Sequence, residues 1–272
     1  MNRIKLGPLA GMGKSHSELC ELSSDSSVGG SSSDRVDSEG DHMARHLGIT
    51  NGASASSYRS PSSIFLPVHY ESRYAYPLLI WLHPNGSSHQ HLDEVMPKIS
   101  DRNYLGVSLA GTERLDQDGS YGWLQTSEAI EWMINQVAWQ IDTVAARFNI
   151  DKQRIFIAGQ GNGGTMAYRI ALKRPNWFAG VASLNGSLPA NLNPLGNWRD
   201  CRDVPVFWAH GRRSVYFPES NLCHQLKLLH VAGFDVTLRQ YPVADQLPNQ
   251  VLGDLSEWMM SQLSSSGANI IG

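Results

Sequence analysis

The amino-acid sequence predicts an α/β fold, in which a mostly parallel central sheet carries helices on both faces. Two observations lead to this prediction. From residue 63 onward, short apolar runs alternate with segments of helical periodicity, as in a parallel sheet covered on both sides. Residues 154–167 read as a buried strand that passes through a turn containing Gly159, Gly161 and Gly163 directly into a helix. We therefore expect the chain to be organised around this strand, turn and helix.

The remaining elements follow in order along the chain. Residues 64–68 form a short strand that Pro67 confines to a sheet edge, and residues 76–82 are apolar on both faces, as in a central strand. Residues 126–148 have apolar side chains at helical spacing. The same signals predict strands at 104–110, 154–158, 180–184, 204–209 and 236–241, and helices at 163–173, from Pro218 to its C-cap Gly233, and at 249–263.

Composition and charge exclude several classes of protein. A chain of 272 residues with 41% hydrophobic residues can bury one large core. Its formal net charge of -3 provides no basic surface, so nucleic-acid binding is disfavoured. Residues 1–13 lack the apolar run of a signal peptide, and no segment reaches the length of about 18 apolar residues that suggests a transmembrane helix. We expect neither export nor a membrane span.

The three cysteines, Cys20, Cys201 and Cys223, form neither an even disulfide framework nor a CxxC pair. Such cysteines are typical of free thiols in a reducing compartment rather than of disulfides or zinc ligands. The sequence therefore favours a cytoplasmic location and predicts no metal site and no cofactor.

Serine-rich composition divides the chain into three predicted parts. Residues 21–40 carry eight serines, and residues 52–63 repeat the bias. Such segments cannot bury enough apolar surface to offset the entropy of ordering the chain. We predict a disordered tail over residues 1–60, a folded domain over 61–265 and a flexible C-terminus over 266–272. The tail is either a solvated leader or a docking or phosphorylation segment, and the irregular residues 185–203 suit a lid or substrate-facing loop.

Several segments resemble the landmarks of one enzyme family, in the same order. Residues 79–86, LIWLHPNG, resemble the strand and HGxG loop that supply part of an oxyanion hole. Residues 159–163 occupy the frame of the GxSxG nucleophile elbow. Residues 204–211 resemble the strand before an acidic residue, and residues 240–242 with 254–258 resemble a histidine segment and the final helix. From residue 63 onward, the chain is similar to the phospholipase/carboxylesterase family of α/β hydrolases, which includes acyl-protein thioesterases and bacterial esterases.

The resemblance implies three catalytic positions, and each carries a residue that lacks the expected chemistry. Ester hydrolysis in this fold uses a hydroxyl nucleophile, an imidazole base and an orienting carboxylate. By position these fall at Gly161, Asp245 and Ser214, respectively. Gly161 has no side chain, and a carboxylate at Asp245 is a poor proton acceptor at neutral pH. We therefore predict a catalytically impaired pseudo-hydrolase.

The binding apparatus around these positions is predicted from the same resemblance. The backbone N–H groups of Asn85 and Asn162 can still point at a carbonyl oxygen, although Pro84 replaces a family glycine and removes one donor. His83 and His210 correspond to histidines that hold loops in the family. Trp123 is a candidate wall of the pocket.

Three functions follow from these observations. The first is a pseudo-hydrolase that binds a small acyl or aromatic ligand, an ester-like small molecule, near Gly161, Asn85, Ser214 and Asp245. The second is an active carboxylesterase with a rearranged site. The third is a non-catalytic interaction module in which the tail and the surface matter. The sequence predicts no particular oligomeric state.

Overall fold

A computed structural model describes residues 58–189 and 201–268. Residues 1–57 and 269–272 lie outside the described residues, so most of the predicted N-terminal tail and the end of the predicted flexible C-terminus fall there. Residues 190–200 of the predicted loop 185–203 lie outside them as well.

The described residues form a seven-stranded sheet. Its strands, in the order in which they lie side by side, are β1 (Ser62–Phe65), β3 (Leu105–Leu109), β2 (Tyr76–Leu82), β6 (Ile150–Gln160), β7 (Gly180–Leu184), β8 (Val206–Gly211) and β9 (Val236–Tyr241). β1 pairs antiparallel with β3, and the other pairings are parallel. A separate two-stranded hairpin consists of β4 (Glu113–Arg114) and β5 (Tyr121–Gly122). The mostly parallel α/β sheet predicted from the sequence is confirmed.

Five α-helices in the described residues cover the two faces of this sheet. They are α1 (His91–Ile99), α2 (Ser127–Arg147), α3 (Asn162–Lys173), α4 (Glu219–Val231) and α5 (Asn249–Ala268). Helices α2, α3 and α4 contribute to one apolar core, and α1 and α5 contribute to the other. None of the described helices is long and apolar enough to cross a membrane.

The alternation of side chains along β2 explains why both faces need a cover. Leu78, Ile80 and Leu82 point into the first core, whereas Leu79 and Trp81 point into the second. Successive residues of a strand face opposite sides, so a run without polar residues is stable only between two helical layers. This strand leads directly into the loop that begins at His83.

Two of the differences from the sequence prediction concern helices. Helix α1 was not predicted, and it forms because Leu92, Val95, Met96 and Ile99 bury one face despite Pro97 inside the helix. Helix α5 begins at the predicted residue 249 and continues to Ala268, past the helix end predicted at residue 263. The first described residues, near Ser60, are packed against the domain.

Candidate functional site

The turn between β6 and α3 has the backbone shape of a nucleophile elbow. Gly161 has a φ of 55° and a ψ of -123°, a conformation that residues with a Cβ rarely adopt. Its N–H donates to the carbonyl oxygen of Leu184, 2.9 Å away, at the end of β7. A Cβ at position 161 would have no neighbouring atom within 4 Å. The position is therefore open at the carboxyl edge of the sheet.

The outer glycines of the elbow allow the strand and the helix to approach each other closely. A Cβ on Gly159 would lie 2.5 Å from the carbonyl carbon of Gly163. A Cβ on Gly163 would lie 2.4 Å from the carbonyl oxygens of Leu82 and His83. Both positions exclude any side chain, whereas Gly161 does not.

Ser214 and Asp245 meet beside this turn. The Ser214 hydroxyl donates to Oδ1 of Asp245 at 2.5 Å, and the N–H of Val215 donates to Oδ2 at 3.3 Å. The Gln160 side chain donates to the main-chain oxygen of Asp245 at 2.9 Å. Since Gln160 immediately precedes Gly161, the hydroxyl and carboxylate pair lies next to the elbow.

Asn185 is a site residue that sequence reasoning missed. Its side chain is 7% exposed; it accepts from the N–H of Gly211 at 2.7 Å and donates to the Ala244 carbonyl at 3.4 Å. It therefore ties the ends of β7 and β8 to the residue before Asp245. Its φ of 57° is in the left-handed region, which asparagine tolerates better than most residues. The position of this asparagine directly after a buried strand was the sequence signal that could have identified it as a site residue.

The imidazole of His83 is fully buried and supports the loop after β2. Its Nδ1 donates to the Pro84 carbonyl oxygen at 2.8 Å, and its Nε2 accepts from the N–H of Gly111 at 3.0 Å. Burial lowers the pKa of His83 to about 4, so the ring is neutral at physiological pH. With both nitrogens bonded to the backbone, the ring holds the loop after β2 in place.

Two further predicted residues are also buried. Trp123 is 4% exposed, packs against the His83 ring and donates from Nε1 to the His83 carbonyl oxygen at 2.7 Å. His210 is fully buried, and its Nε2 donates to the Phe217 carbonyl oxygen at 2.9 Å. Trp123 thus contacts both the ring and the main chain of His83, and its role as a pocket wall stays a prediction.

The predicted oxyanion donors belong to two exposed residues. Asn162 begins α3, where the first N–H groups of a helix have no partner within the helix. In the loop after β2, the N–H of Gly86 donates to Tyr121 and that of Ser87 donates to Pro84. Asn85 lies between them and is exposed. The N–H groups of Asn85 and Asn162 stay the predicted donors.

Comparison with known proteins identifies the family. A model of the phospholipase/carboxylesterase family matches residues 67–263, which is well over half of the chain. The chain belongs to the phospholipase/carboxylesterase family. The match includes β2, the elbow and the segment that carries Ser214 and Asp245.

Two curated relatives show how similar this chain is to other family members. Carboxylesterase SOBER1 of Arabidopsis thaliana is 24% identical over 123 residues, which cover 44% of this chain and 53% of that protein. Acyl-protein thioesterase 1 of Cryptococcus neoformans var. neoformans is 24% identical over 218 residues, which cover 73% of this chain and 86% of that protein. Several curated relatives are matched over only about half of their own length.

A solved structure gives the same fold. The Bacillus cereus carboxylesterase matches with a TM-score of 0.60 and 18% sequence identity, over 76% of this chain and 96% of that chain. At this identity the likeness concerns the fold. It supports the α/β-hydrolase architecture independently of the sequence match.

A different hydroxyl and imidazole pair occurs at the outer edge of the sheet. The Ser63 hydroxyl lies 2.7 Å from Nδ1 of His89. Burial lowers the pKa of His89, and the negative charge of Asp93 partly offsets this effect. Ser63 is on β1, which is separated from β6 by β3 and β2. This pair is therefore distinct from the elbow of the family.

Metal chemistry has no candidate site in the described ranges. Among residues 58–189 and 201–268, no three or more His, Cys, Asp or Glu side chains are grouped so that they could hold a metal ion. The polar groups that the fold brings together at the elbow include Ser214, Asp245, Gln160 and the first backbone N–H groups of α3.

Proposed function

We propose that this member of the phospholipase/carboxylesterase family does not hydrolyse esters by Ser-His-Asp chemistry and instead binds a small acyl or aromatic ligand at the elbow. The observation that carries the proposal is the pairing of Ser214 directly with Asp245 beside an open Gly161. A hydroxyl bonded to a carboxylate provides neither a nucleophile at the elbow nor an imidazole to activate one.

The state of the nearby histidines supports the loss of this chemistry. His83 has both ring nitrogens bonded to the backbone, and Nε2 of His210 donates to a carbonyl oxygen. A general base must lie within hydrogen-bond reach of the proton that it takes. Neither ring is free to turn toward Gly161 without losing a buried hydrogen bond, which costs about 1–3 kcal/mol.

Ligand binding is supported by the groups that survive at the elbow. The start of α3 offers backbone N–H donors, and Asp245 keeps acceptor capacity on its carboxylate. A carbonyl compound that carries a hydrogen-bond donor would satisfy both kinds of group. The absent side chain at position 161 leaves room for it.

Restoring the three positions tests the proposal. We expect the variant Gly161→Ser/Ser214→Asp/Asp245→His to hydrolyse p-nitrophenyl acetate, because side chains at positions 214 and 245 already meet at hydrogen-bond distance. General base catalysis contributes at least about 100-fold, so turnover should exceed that of the natural protein by roughly this factor. Release of p-nitrophenol is the measurement.

The matched control is Gly161→Ala/Ser214→Asp/Asp245→His. It also has a Cβ at the strained position 161 and the same histidine base, but it has no hydroxyl. It should stay at the level of the natural protein. Equal activity of both triple variants would contradict the assignment of position 161 as the nucleophile site, as would turnover by the natural protein at the level of the restored variant.

A second candidate function, an esterase with a rearranged site, is favoured by the contact between Ser63 and His89. Nδ1 of His89 would take the proton of the Ser63 hydroxyl as that oxygen attacks an acyl carbon, and would return it to the leaving alcohol. The same contact also has a structural explanation, because it joins the edge strand β1 to the loop before α1.

Labelling with a fluorophosphonate, which reacts covalently with activated serines, separates the two candidates. The first candidate requires no labelling of the natural protein. Labelling that disappears in Ser63→Ala but persists in Ser62→Ala, its exposed neighbour, would establish the second candidate and reject the first.

A further inference from the structure

Two neighbouring apolar side chains are presented to solvent beside the elbow. Val215 is 79% exposed and Tyr216 is 88% exposed, while Ser214 and Phe217 on either side are 9% and 2% exposed. Single exposed apolar residues are ordinary on a protein surface. Two in succession, next to a site that is otherwise polar, form an apolar rim, and we use this name for Val215 and Tyr216.

The turn that carries the apolar rim is held in place by hydrogen bonds. The N–H of Ser214 donates to Gly211 at 2.9 Å, and the N–H of Phe217 donates to the Ser214 hydroxyl at 3.0 Å. The Phe217 ring stacks on Trp208 in the core. The turn that carries the apolar rim is therefore fixed by hydrogen bonds and by packing against the core.

The same hydrogen bonds connect the rim to the elbow. The Val215 N–H donates to Oδ2 of Asp245, and the main chain of Asp245 accepts from Gln160, the residue before Gly161. A ligand whose polar end sits at Gly161 and Asp245 thus has an apolar surface beside it. We infer that the apolar rim determines specificity by contacting the acyl chain or aromatic group of this ligand.

This inference rests on the proposed function and adds the requirement that the ligand has an apolar part extending toward Val215 and Tyr216. Full burial of one methylene raises affinity about fourfold. Contact on one side, as an exposed rim provides, should give about half of that free energy, or roughly twofold for each methylene. Affinity should therefore rise with chain length, and the rim should be the cause.

Straight-chain primary amides from acetamide to octanamide are suitable probes, because they carry a carbonyl and a donor and resist hydrolysis. Their dissociation constants are measured by NMR titration for the natural protein and for Val215→Ser/Tyr216→Ser. We expect about twofold tighter binding per methylene in the natural protein and almost no dependence on chain length in the double variant.

Val231→Ser is the matched control. Val231 is 85% exposed but lies at the far end of α4, about 20 Å along the helix from the turn. Its replacement should leave the chain-length dependence unchanged. Equal dependence in the natural protein and the rim variant overturns this inference alone, whereas failure of every amide to bind the natural protein overturns the proposed function with it.

A second measurement is made on protein that keeps both side chains of the apolar rim. In protein labelled with 3-fluorotyrosine, the ¹⁹F resonance of Tyr216 is the one that disappears in Tyr216→Phe. We expect octanamide to shift this resonance and acetamide to leave it in place. If the Tyr216 resonance does not shift when octanamide binds, the inference is also overturned.

Discussion

The backbone of Gly161 determines what a serine at this position would cost. Its φ of 55° and ψ of -123° place it where a residue with a Cβ is strained by about 1–3 kcal/mol. Because a Cβ there meets no atom within 4 Å, this cost would be conformational and not steric. Active hydrolases accept such strain for catalysis. Under the proposed function, which needs no nucleophile at position 161, a glycine there avoids this strain without loss of activity.

The buried imidazole of His83 makes stability depend on pH. Burial lowers its pKa from 6.5 to about 4 in the folded protein. Between these pH values the unfolded chain binds a proton that the folded chain does not. The contribution of His83 to the free energy of unfolding is therefore fully present above pH 6.5. It is lost as the pH falls toward 4, by about 3 kcal/mol in total.

This dependence is measured by urea unfolding at pH 7 and pH 5. In His83→Gln, the side-chain oxygen can still accept from the Gly111 N–H. Between pH 7 and pH 5, we expect the free energy of unfolding of this variant to fall by about 2 kcal/mol less than that of the natural protein. His224→Gln, at an exposed position on α4, is the control and should behave like the natural protein. A loss in His83→Gln as large as that of the natural protein would contradict the assignment.

For single residues, the sequence predicted positions along the chain better than contacts between side chains. The glycines of the elbow and positions 214 and 245 could be located because local motifs mark them. The direct bond between Ser214 and Asp245 could not, since 31 residues separate them and only the packed loops bring them together. The role of Asn185 also depends on partners far along the chain.

At the level of strands and helices, apolar runs with clear ends were predicted most accurately. The apolar runs 76–82 and 180–184 coincide with β2 and β7. The mixed segment 236–241, which lies between Asp235 and Pro242, coincides with β9. Helix α1 was missed because Pro97 argues against a helix, and only its burial against the second core overrides that preference. The hairpin of β4 and β5 is too short to leave a periodic pattern.

Helix α5 offers a test of helix propensity. A Cβ on Gly253 would meet no atom within 4 Å outside the helix, so Gly253→Ala should raise the free energy of unfolding by about 0.5–1 kcal/mol. The matched control is Gly164→Ala in α3, where the Cβ would lie 2.5 Å from the Ser183 hydroxyl oxygen. Urea unfolding should show stabilisation by the first change and destabilisation by the second; the reverse order would refute the packing argument.

For the whole molecule, parallel strand order explains why the site residues meet. His83, Gly161 and Gly211 all follow or end strands that run in the same direction, so their loops lie at one edge of the sheet. The sequence predicted this edge from the strand, turn and helix alone. It could not predict the Ser63 and His89 contact, because that contact depends on β1 joining the sheet antiparallel at the far side of β3.

The boundary of the folded domain is testable through Gln136, a buried residue of α2. Its Oε1 accepts from the N–H of Ser60, and its Nε2 donates to the carbonyl oxygen of Tyr58. A chain that starts at residue 56 keeps both partners, whereas one that starts at residue 62 leaves the amide of Gln136, 2% exposed, without them. Loss of buried hydrogen-bond partners costs about 1–3 kcal/mol.

We therefore expect the chain that starts at residue 56, the shorter truncation, to melt at the temperature of the full chain. The chain that starts at residue 62, the longer truncation, should melt lower, by about 2–4 °C for each kcal/mol lost from the free energy of unfolding. Differential scanning calorimetry of the three chains provides the measurement. Adding Gln136→Leu to the longer truncation should recover part of the loss, because an apolar side chain needs no partner. Equal melting temperatures of the two truncations would place the start of the folded domain at residue 62 or later, close to residue 61 predicted from composition, and would mean that Tyr58 and Ser60 contribute little to the fold.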